Sequence, residues 1–402
     1  MTCDYHIYGV RDTFLRKVIT NLRSKRARKA VAKTTLVVGA AAIIVAAGII
    51  AYLALPQAAK PQGGTSQNQS VTINGAGATF PYPLLSTMTV EYNKIHPNIR
   101  IGYQSIGSGG GIRQLTEKTV DFAASDAPLN AKQRQAASNT LHIPETIGSV
   151  VLAYNLPGVE KGLKITGPII ADIFLGKITK WNDPAIQNLN PDIKLPNNDI
   201  QVVHRSDGSG TTFIWTSYLS LVSPDWQSKV GSGTAVQWPA GLGSSGNEGV
   251  AGLVRGTQYT VGYVELAYAL QNKMSYAFIQ NKEGKFIEPT LGSTGAAVSS
   301  VAANLPRGDQ SWENVSVLDA SGADSYPIAS FSYLLVYKDL STVPSMNSEK
   351  AKALVDFLWW VVHDGQNYSS NLQYVPLPQT VVTIDEQTIN SITFNGQPLR
   401  SQ

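Results

Sequence analysis

Cysteine, histidine and charge are all scarce in this chain of 402 residues. The single cysteine is Cys3, so everything downstream of it must fold without disulfides and depend on a hydrophobic core. The five histidines are scattered and lack the spacing of metal ligands, so we expect no metal site and no cofactor. Only 15% of the residues are charged while 43% are hydrophobic, which excludes a disordered chain and leaves room for two domains.

Two catalytic motifs are also missing. Neither Ser108 nor Ser209 lies in a G-x-S-x-G sequence, and no G-x-x-x-x-G-K-[ST] sequence is present. His204 is one candidate base for Ser209, as in a phosphatase. Adjacent residues of a strand point to opposite faces, however, so His204 should face away from its neighbour Arg205. We therefore expect a protein that is not an enzyme.

Positive charge is concentrated at the N-terminus. Residues 1–33 carry nine Lys or Arg against two Asp, so the remaining residues have a net charge of −3 within a total of +4. The apolar run LVVGAAAIIVAAGIIAYLAL follows at residues 36–55. Twenty residues rise about 30 Å as a helix, which spans a bilayer, whereas a cleavable signal peptide has a shorter apolar core of roughly 7 to 15 residues. This pattern predicts a basic cytoplasmic segment over 1–33, a transmembrane signal-anchor over 34–55, and the rest of the chain outside the cell membrane.

The residues after the apolar run change in character twice. Residues 56–70 are rich in Pro, Gly and Gln, which predicts a flexible stalk, and they hold no cysteine for a lipid anchor. From Val71 onward, short apolar runs alternate with amphipathic segments, which is typical of an α/β fold. We expect strands at residues 71–75, 99–104, 149–156, 201–206 and 333–338, and helices at 84–95 and 352–362. The first of these helices should bury one face, formed by Leu84, Leu85, Met88, Tyr92 and Ile95.

Three turns share one chemistry, in which a strand ends in Gly, Ser or Thr and a helix follows. Residues 75–83 offer Thr79 and the backbone N–H of Phe80. Residues 105–115 offer Ser108, which we expect to cap its helix.

The third of these turns, residues 207–215, offers Ser209, the Gly210 N–H and Thr211. The helix it starts should carry Ile214, Tyr218 and Leu221 on one face. Each turn alone is explained by ordinary capping. Together they would bind an anion, because helix N-termini expose unpaired N–H donors and a partial positive charge.

A fourth glycine run, residues 241–249, has no recognisable strand before it. We interpret it as a plain turn in which Asn247 caps the next helix, with no part in a ligand site.

Arg205 supplies the positive charge that such a site needs. It lies two residues before Asp207 on an extended segment, so both side chains point to the same face and the carboxylate can orient the guanidinium. A guanidinium held in this way presents its other N–H groups to a tetrahedral oxyanion. The alternative is a surface ion pair, worth about 0 to 1 kcal/mol.

Asp126 is harder to explain. It either caps the turn before a helix expected at residues 132–138, or it faces the bound anion. In the second case the anion must bring a proton, because an unsatisfied buried acceptor costs about 1 to 3 kcal/mol. Phosphate keeps a P–OH group near neutral pH and sulfate keeps none, so one carboxylate at this position would reject sulfate.

These segments resemble the phosphate-binding proteins of high-affinity phosphate ABC importers, a branch of the type II periplasmic-binding-protein family. The resemblance runs from about Thr72 to Pro398. The motifs that carry it are, in order, GAGATFP, IGSGGG, VDFAASDAPL, ADIFLGKITKWNDPAI, HRSDGSGTTF, TSYL, WPAGLG and VGYVELAYA. One departure is Gly109, where bacterial members often have a second serine. The other is the anchor, since many relatives are attached by lipid or are free.

The resemblance implies a two-lobed α/β fold with two hinge strands and phosphate held between the lobes. The first crossing would fall near residues 150–157 and the second near 327–336. One lobe would then comprise residues 71–152 and 328–402, and the other residues 153–327. The ligand residues it implies are Thr79, Phe80, Ser108, Asp126, Arg205, Asp207, Ser209, Gly210 and Thr211, with Asp207 orienting Arg205.

The partners that the resemblance implies are inorganic phosphate, an ABC permease and its ATPase. We also expect attachment to the membrane through the N-terminal helix, a monomeric protein and no nucleic acid. Two alternatives remain open at this point. One is a binding protein for another oxyanion, such as sulfate or molybdate, and the other is a membrane-tethered phosphate sensor.

Overall fold

The computed structural model describes residues 70–299, 301 and 304–400. The predicted basic segment, the predicted membrane anchor and all but the last residue of the predicted stalk lie outside these residues. Among the residues that are described, no helix is both long and apolar enough to cross a membrane. The described residues form one compact unit.

The order of elements is that of an α/β protein, with fourteen strands and twelve α-helices in the described part. The strands are β1 Val71–Gly77, β2 Ile99–Ser105, β3 Phe122–Ser125, β4 Thr140–Asn155, β5 Lys164–Ile165, β6 Gln201–Arg205, β7 Leu242–Ser244, β8 Thr260–Glu265, β9 Ser275–Tyr276, β10 Phe278–Gln280, β11 Phe286–Ile287, β12 Ala329–Tyr337, β13 Thr393–Phe394 and β14 Gln397–Pro398. The helices are α1 Tyr82–Ile95, α2 Ser108–Thr116, α3 Ala131–Ala136, α4 Gly167–Phe174, α5 Pro184–Gln187, α6 Gly210–Val222, α7 Pro224–Lys229, α8 Gly246–Gly256, α9 Leu266–Gln271, α10 Leu291–Ser299, α11 Ser348–Val362 and α12 Gln379–Asn390. Short 3-10 helices cover Leu340–Thr342, Asp364–Tyr368 and Ser370–Leu372.

The first lobe is built on the strand order β2-β1-β3-β12-β4. The strand β1 pairs in parallel with β2 and β3, while β12 runs antiparallel to β3 and β4. Helix α11 packs on β1 and against α12. Its sequence KALVDFLWWVV is apolar nearly all round, and nine of its fifteen residues are buried.

The second lobe continues the same sheet as β4-β8-β6-β7, in which β6 pairs in parallel with both β7 and β8. Its core is aromatic. Trp215 stacks on Tyr263, with ring centroids 5.2 Å apart, and Phe174 packs against both rings. Because the only cysteine of the chain is Cys3, this lobe has no disulfides, and the burial of these large side chains stabilises it.

Two neighbouring strands connect the lobes. The strand β4 is sixteen residues long and buried up to Tyr154, and its first part, Thr140 to Ser149, pairs with β12. From Val150 onward it pairs with β8 instead. The second connection lies beside it, since Ala329 pairs with Ser149 and the Val150 N–H donates to the Ile328 carbonyl at 2.9 Å. The expected two-lobed α/β fold is therefore confirmed; the exact lobe limits stay a prediction.

Local predictions failed at three places. Ile95 is 58% exposed and Leu221 is 61% exposed, because each lies in the last turn of its helix, where the chain leaves the core. A strand, β7, lies within the fourth glycine run, which we had interpreted as a plain turn. With only three residues, it is too short to recognise as a strand from its sequence.

Candidate anion-binding site between the lobes

Thr79 and Phe80 form the turn between β1 and α1, and both are buried. The Thr79 Oγ1 accepts two hydrogen bonds from Asn247 of the second lobe, from its Nδ2 at 2.7 Å and from its backbone N–H at 3.1 Å. The Phe80 carbonyl accepts from the Tyr374 hydroxyl at 2.7 Å. This turn therefore connects both lobes with the C-terminal segment.

Ser108 does not cap its helix as expected. The capping position belongs to Gly107, whose φ of +81° is open only to glycine without strain, and Ser108 is the first residue of α2. Its Oγ accepts instead from the Gly210 N–H of the opposite lobe at 3.1 Å and from the Asp126 N–H at 3.3 Å. A backbone bond from Gly109 N–H to the Gly208 carbonyl, at 2.8 Å, joins the lobes at the same point.

Arg205 and Asp207 make the close ion pair that their spacing predicts. The Arg205 Nε donates to Asp207 Oδ1 at 2.7 Å and its Nη2 donates to Oδ2 at 2.5 Å. The Arg205 side chain is 1% exposed, so this is not a surface pair. Although burial opposes it, the hydrogen bonds and charge of Arg205 hold the pKa of Asp207 below its ordinary value. With Nε and Nη2 engaged in this way, Nη1 is left to reach Thr211 Oγ1 at 3.4 Å.

The residues after Arg205 start helix α6. Ser209 is its N-cap and accepts from the Thr212 N–H at 3.0 Å. Gly210 comes so close to the other lobe that an added Cβ would lie 2.5 Å from both Asp126 Oδ2 and Ser108 Oγ. Only glycine fits there, and its N–H is presented to the junction between the lobes.

Asp126 follows β3 and does not cap the next helix. That role is taken by Asn130, which forms a capping box with Gln133. Asp126 is 1% exposed; its Oδ1 accepts from Ser332 Oγ at 2.9 Å, and its Oδ2 has no hydrogen-bond partner among the described residues. Burial raises the pKa of Asp126 to about 7, against the lowering effects of the Ser332 hydrogen bond and the Arg205 charge.

All nine predicted site residues thus meet where the two lobes touch. Thr79, Phe80, Ser108 and Asp126 come from the first lobe, and the stretch from Arg205 to Thr211 comes from the second. The helices α2 and α6 both begin here, so their N-terminal N–H groups add positive potential. Arg205 is largely balanced by Asp207, so an anion at this place would be held mainly by N–H groups and hydroxyls.

Asn247 corrects our interpretation of the fourth glycine run. Ser245 is the N-cap of α8, while Asn247 is buried inside its first turn. Its Nδ2 donates to Thr79 and also to Thr211 Oγ1 at 3.0 Å, so one side chain joins site residues of both lobes. Residues 241–249 have the same Gly and Ser composition as the other three turns. That composition was the sequence signal that could have placed them in the predicted site.

Two further residues were missed. Ser332, on β12, contacts Asp126, and Glu145, on β4, contacts Ser332 at 3.1 Å. A glutamate within the buried run TLHIPETIGSVV was an available signal. Its connection to Asp126 depends on long-range strand pairing, which the sequence does not display.

The described residues at this site show neither a histidine placed as a base for Ser209 nor a cluster of metal ligands. His204 stacks on Trp238, with ring centroids 4.7 Å apart, and its Nδ1 contacts the Arg205 carbonyl rather than Ser209. In the described part of the chain, no group of three His, Cys, Asp or Glu residues could hold a metal ion.

Comparison with known proteins gives consistent matches. A profile described as the PBP superfamily domain matches residues 60–363. The phosphate-binding protein PstS of Xylella fastidiosa, strain Temecula1, is 47% identical over 317 residues, covering 79% of this chain and 84% of that protein. The phosphate-binding protein PstS of Methanocaldococcus jannaschii is 40% identical over 351 residues, covering 82% and 90%.

Solved structures agree on the fold. A high-affinity periplasmic phosphate-binding protein, PfluDING, bound with phosphate, superposes with a TM-score of 0.60 at 18% identity, covering 80% of this chain and 99% of that one. A phosphate-binding protein from Stenotrophomonas maltophilia gives a TM-score of 0.59 at 19% identity, covering 78% and 93%.

Proposed function

Because the chain belongs to the PBP superfamily and, within it, to the PstS phosphate-binding proteins, we propose that it captures inorganic phosphate between its lobes for import by an ABC transporter. Members of this family are binding proteins of transport systems rather than enzymes. The observation that carries the assignment to this site is Asp126 Oδ2, a buried acceptor without a partner in the described structure, beside Ser108 and Gly210.

Each site residue has a role in this proposal. The N–H groups of Phe80 and Gly210 and the hydroxyls of Thr79, Ser108, Ser209 and Thr211 donate to the phosphate oxygens. Arg205, oriented by Asp207, contributes the positive charge. Asp126 accepts a hydrogen bond from the P–OH group of the phosphate. A fully ionised oxyanion would leave two acceptors facing each other, which is the physical basis for excluding sulfate and molybdate.

Calorimetric titration of the purified protein tests this assignment. Phosphate and arsenate should bind and sulfate should not compete, because arsenate shares the charge, shape and proton of phosphate. The Asp126→Asn variant should lose much of this preference, since its amide can donate to an oxyanion that lacks a proton. Equal affinity of the wild-type protein for phosphate and sulfate would contradict the proposal and favour a general oxyanion receptor.

The proposal extends to the cell membrane. The basic residues 1–33 and the apolar residues 34–55 would anchor the protein in the membrane, with its N-terminus in the cytoplasm and the lobes outside. The anchored protein would be a monomer. There the lobes would deliver phosphate to a permease driven by its ATPase. Protease digestion of intact cells should remove the lobes and spare the N-terminal segment. A permease and an ATPase should also co-purify with the detergent-solubilised protein, which a tethered sensor would not require.

A further inference from the structure

Glu145 is a buried acid in the strand that connects the lobes. It is 2% exposed and lies at an irregularity in the pairing of β4 with β12. Thr146 pairs with Ser332 and Pro144 pairs with Tyr333, so Glu145 is an extra residue without a partner in the ladder. A bulge of this kind turns a side chain away from its regular direction. Here the Glu145 carboxyl reaches Ser332.

Ser332 lies between two carboxyl groups. Its Oγ is 3.1 Å from Glu145 Oε1 and 2.9 Å from Asp126 Oδ1. A hydroxyl has one proton to donate, so it can serve only one carboxylate. The other carboxyl group must itself be protonated and donate to Ser332. The three side chains therefore form a chain of hydrogen bonds that has two possible directions.

The charges nearby select one direction. Arg205 is the cation that acts on Asp126, and the Asp126 backbone also contacts Ser108. Among the described residues, no cation contributes to the environment of Glu145, whose charged neighbour is Asp126 itself. The other ionisable groups that act on this pair are acids or phenols: Tyr103 on β2, Glu265 on β8, Tyr333 on β12 and Tyr374. The negative charge is thus more stable on Asp126, and the proton is more stable on Glu145.

We propose that Glu145 is a positioning residue for ligand specificity: as a neutral acid it donates to Ser332, which donates to Asp126 Oδ1 and so keeps Asp126 an ionised acceptor. In this direction Asp126 Oδ2 can only accept, so the bound oxyanion must bring the proton. In the opposite direction Asp126 would be neutral, with its single proton pointing from Oδ1 to Ser332. Its Oδ2 would then be an uncharged acceptor, which would repel a fully ionised oxyanion such as sulfate less strongly. This inference rests on the proposed function, because it concerns how the same site selects its ligand.

The pH dependence of phosphate affinity tests the role of Glu145. Burial raises the pKa of Glu145 to about 8, with the nearby Asp126 adding to the effect. Above that pH Glu145 becomes charged, repels Asp126 and competes for the Ser332 proton. If binding requires the proton on Glu145, the affinity should fall about tenfold per pH unit above about pH 8. In Glu145→Gln the amide donates to Ser332 without titrating, so this fall should be lost.

Two further variants complete the experiment. Asp385→Asn is the matched control, because Asp385 is also fully buried. In the described structure its carboxyl group makes no hydrogen bond to Asp126, Ser332 or Glu145. It should keep the wild-type pH profile. Ser332→Ala breaks the connection, so Asp126 loses a donor and holds its own proton more readily. The preference for phosphate over sulfate should then fall at least tenfold at pH 7, measured by competition calorimetry.

The outcomes separate the two proposals. Wild-type protein that binds phosphate selectively, with the same pH profile as Glu145→Gln, would overturn the role of Glu145 and leave the proposed function intact. An unchanged preference in Ser332→Ala would overturn it in the same way. Wild-type protein that does not bind phosphate would overturn the proposed function itself.

Discussion

Replacing Gly210 by alanine should weaken phosphate binding by preventing the lobes from meeting. The added Cβ would lie 2.5 Å from Ser108 Oγ and 2.5 Å from Asp126 Oδ2, whereas ordinary van der Waals contact begins at 3.4 Å. Both atoms belong to the opposite lobe. The lobes would have to separate by almost the whole difference, close to 1 Å, because Asp126 and Ser108 are themselves buried and cannot move aside.

A separation of this size breaks the two hydrogen bonds that join the lobes at this point. They are the Gly109 N–H to Gly208 carbonyl bond of 2.8 Å and the bond donated by the Gly210 N–H, whose acceptor is Ser108 Oγ at 3.1 Å in this structure and phosphate in the proposed complex. Each is worth about 1 kcal/mol net, so closure should lose about 2 kcal/mol. That corresponds to an affinity loss of about 30-fold, before the loss of any other contact with phosphate is added.

Isothermal titration calorimetry with phosphate measures the loss directly. The matched control is Gly252→Ala on α8 of the second lobe, where an added Cβ meets nothing within 4 Å and should leave the affinity unchanged. Small-angle scattering should also show that phosphate contracts the wild-type protein more than Gly210→Ala. Wild-type affinity in Gly210→Ala would refute the claim that the closed contact at this glycine is needed for binding.

Three further results are expected. In Arg205→Lys the side chain cannot keep both hydrogen bonds to Asp207. A hydrogen bond to a charged group is worth about 1.5 to 3 kcal/mol, so the phosphate affinity measured by calorimetry should fall tenfold or more. An unchanged affinity would show that only the charge at this position matters. Asn247→Ala leaves the buried Glu265 N–H without its acceptor and should lower the free energy of unfolding in urea by about 1 to 3 kcal/mol, an effect that a surface turn would not show. Finally, burial raises the pKa of Asp126 to about 7 and of Glu145 to about 8, so the folded state holds these protons more tightly than the unfolded chain. Stability without ligand should therefore fall as pH rises from 6.5 to 8, more steeply than in Glu145→Gln, and a rise would be contrary to this reasoning.

Much of the site could be predicted because its chemistry is local. The Arg205 to Thr211 stretch combines strand alternation with the start of a helix, and both patterns are readable over a few residues. The ion pair of Arg205 with Asp207 follows from their spacing, and the N-cap role of Ser209 follows from its residue type.

The failures were of a different kind. Ser108 was expected to serve its own helix, yet its Oγ serves Gly210, 102 positions along the chain. Asn247 was expected to cap the next helix, yet it contacts Thr79, 168 positions away. Each residue type was recognised as polar and placed near a turn, but the choice between a local and a distant partner could not be made from spacing.

The sequence by itself determined the α/β class, the strand-to-helix turns with their N–H donors, and the oriented arginine, because all of these depend on neighbours within one or two turns of chain. Only the tertiary structure decided that the turns face one another across two connecting strands. It also decided that Glu145, Ser332 and Asp126 touch, since that contact requires the register and the bulge between β4 and β12. The physical reason is burial: a carboxylate selects its ligand only when the fold removes water from it, and burial is a property of the packed chain.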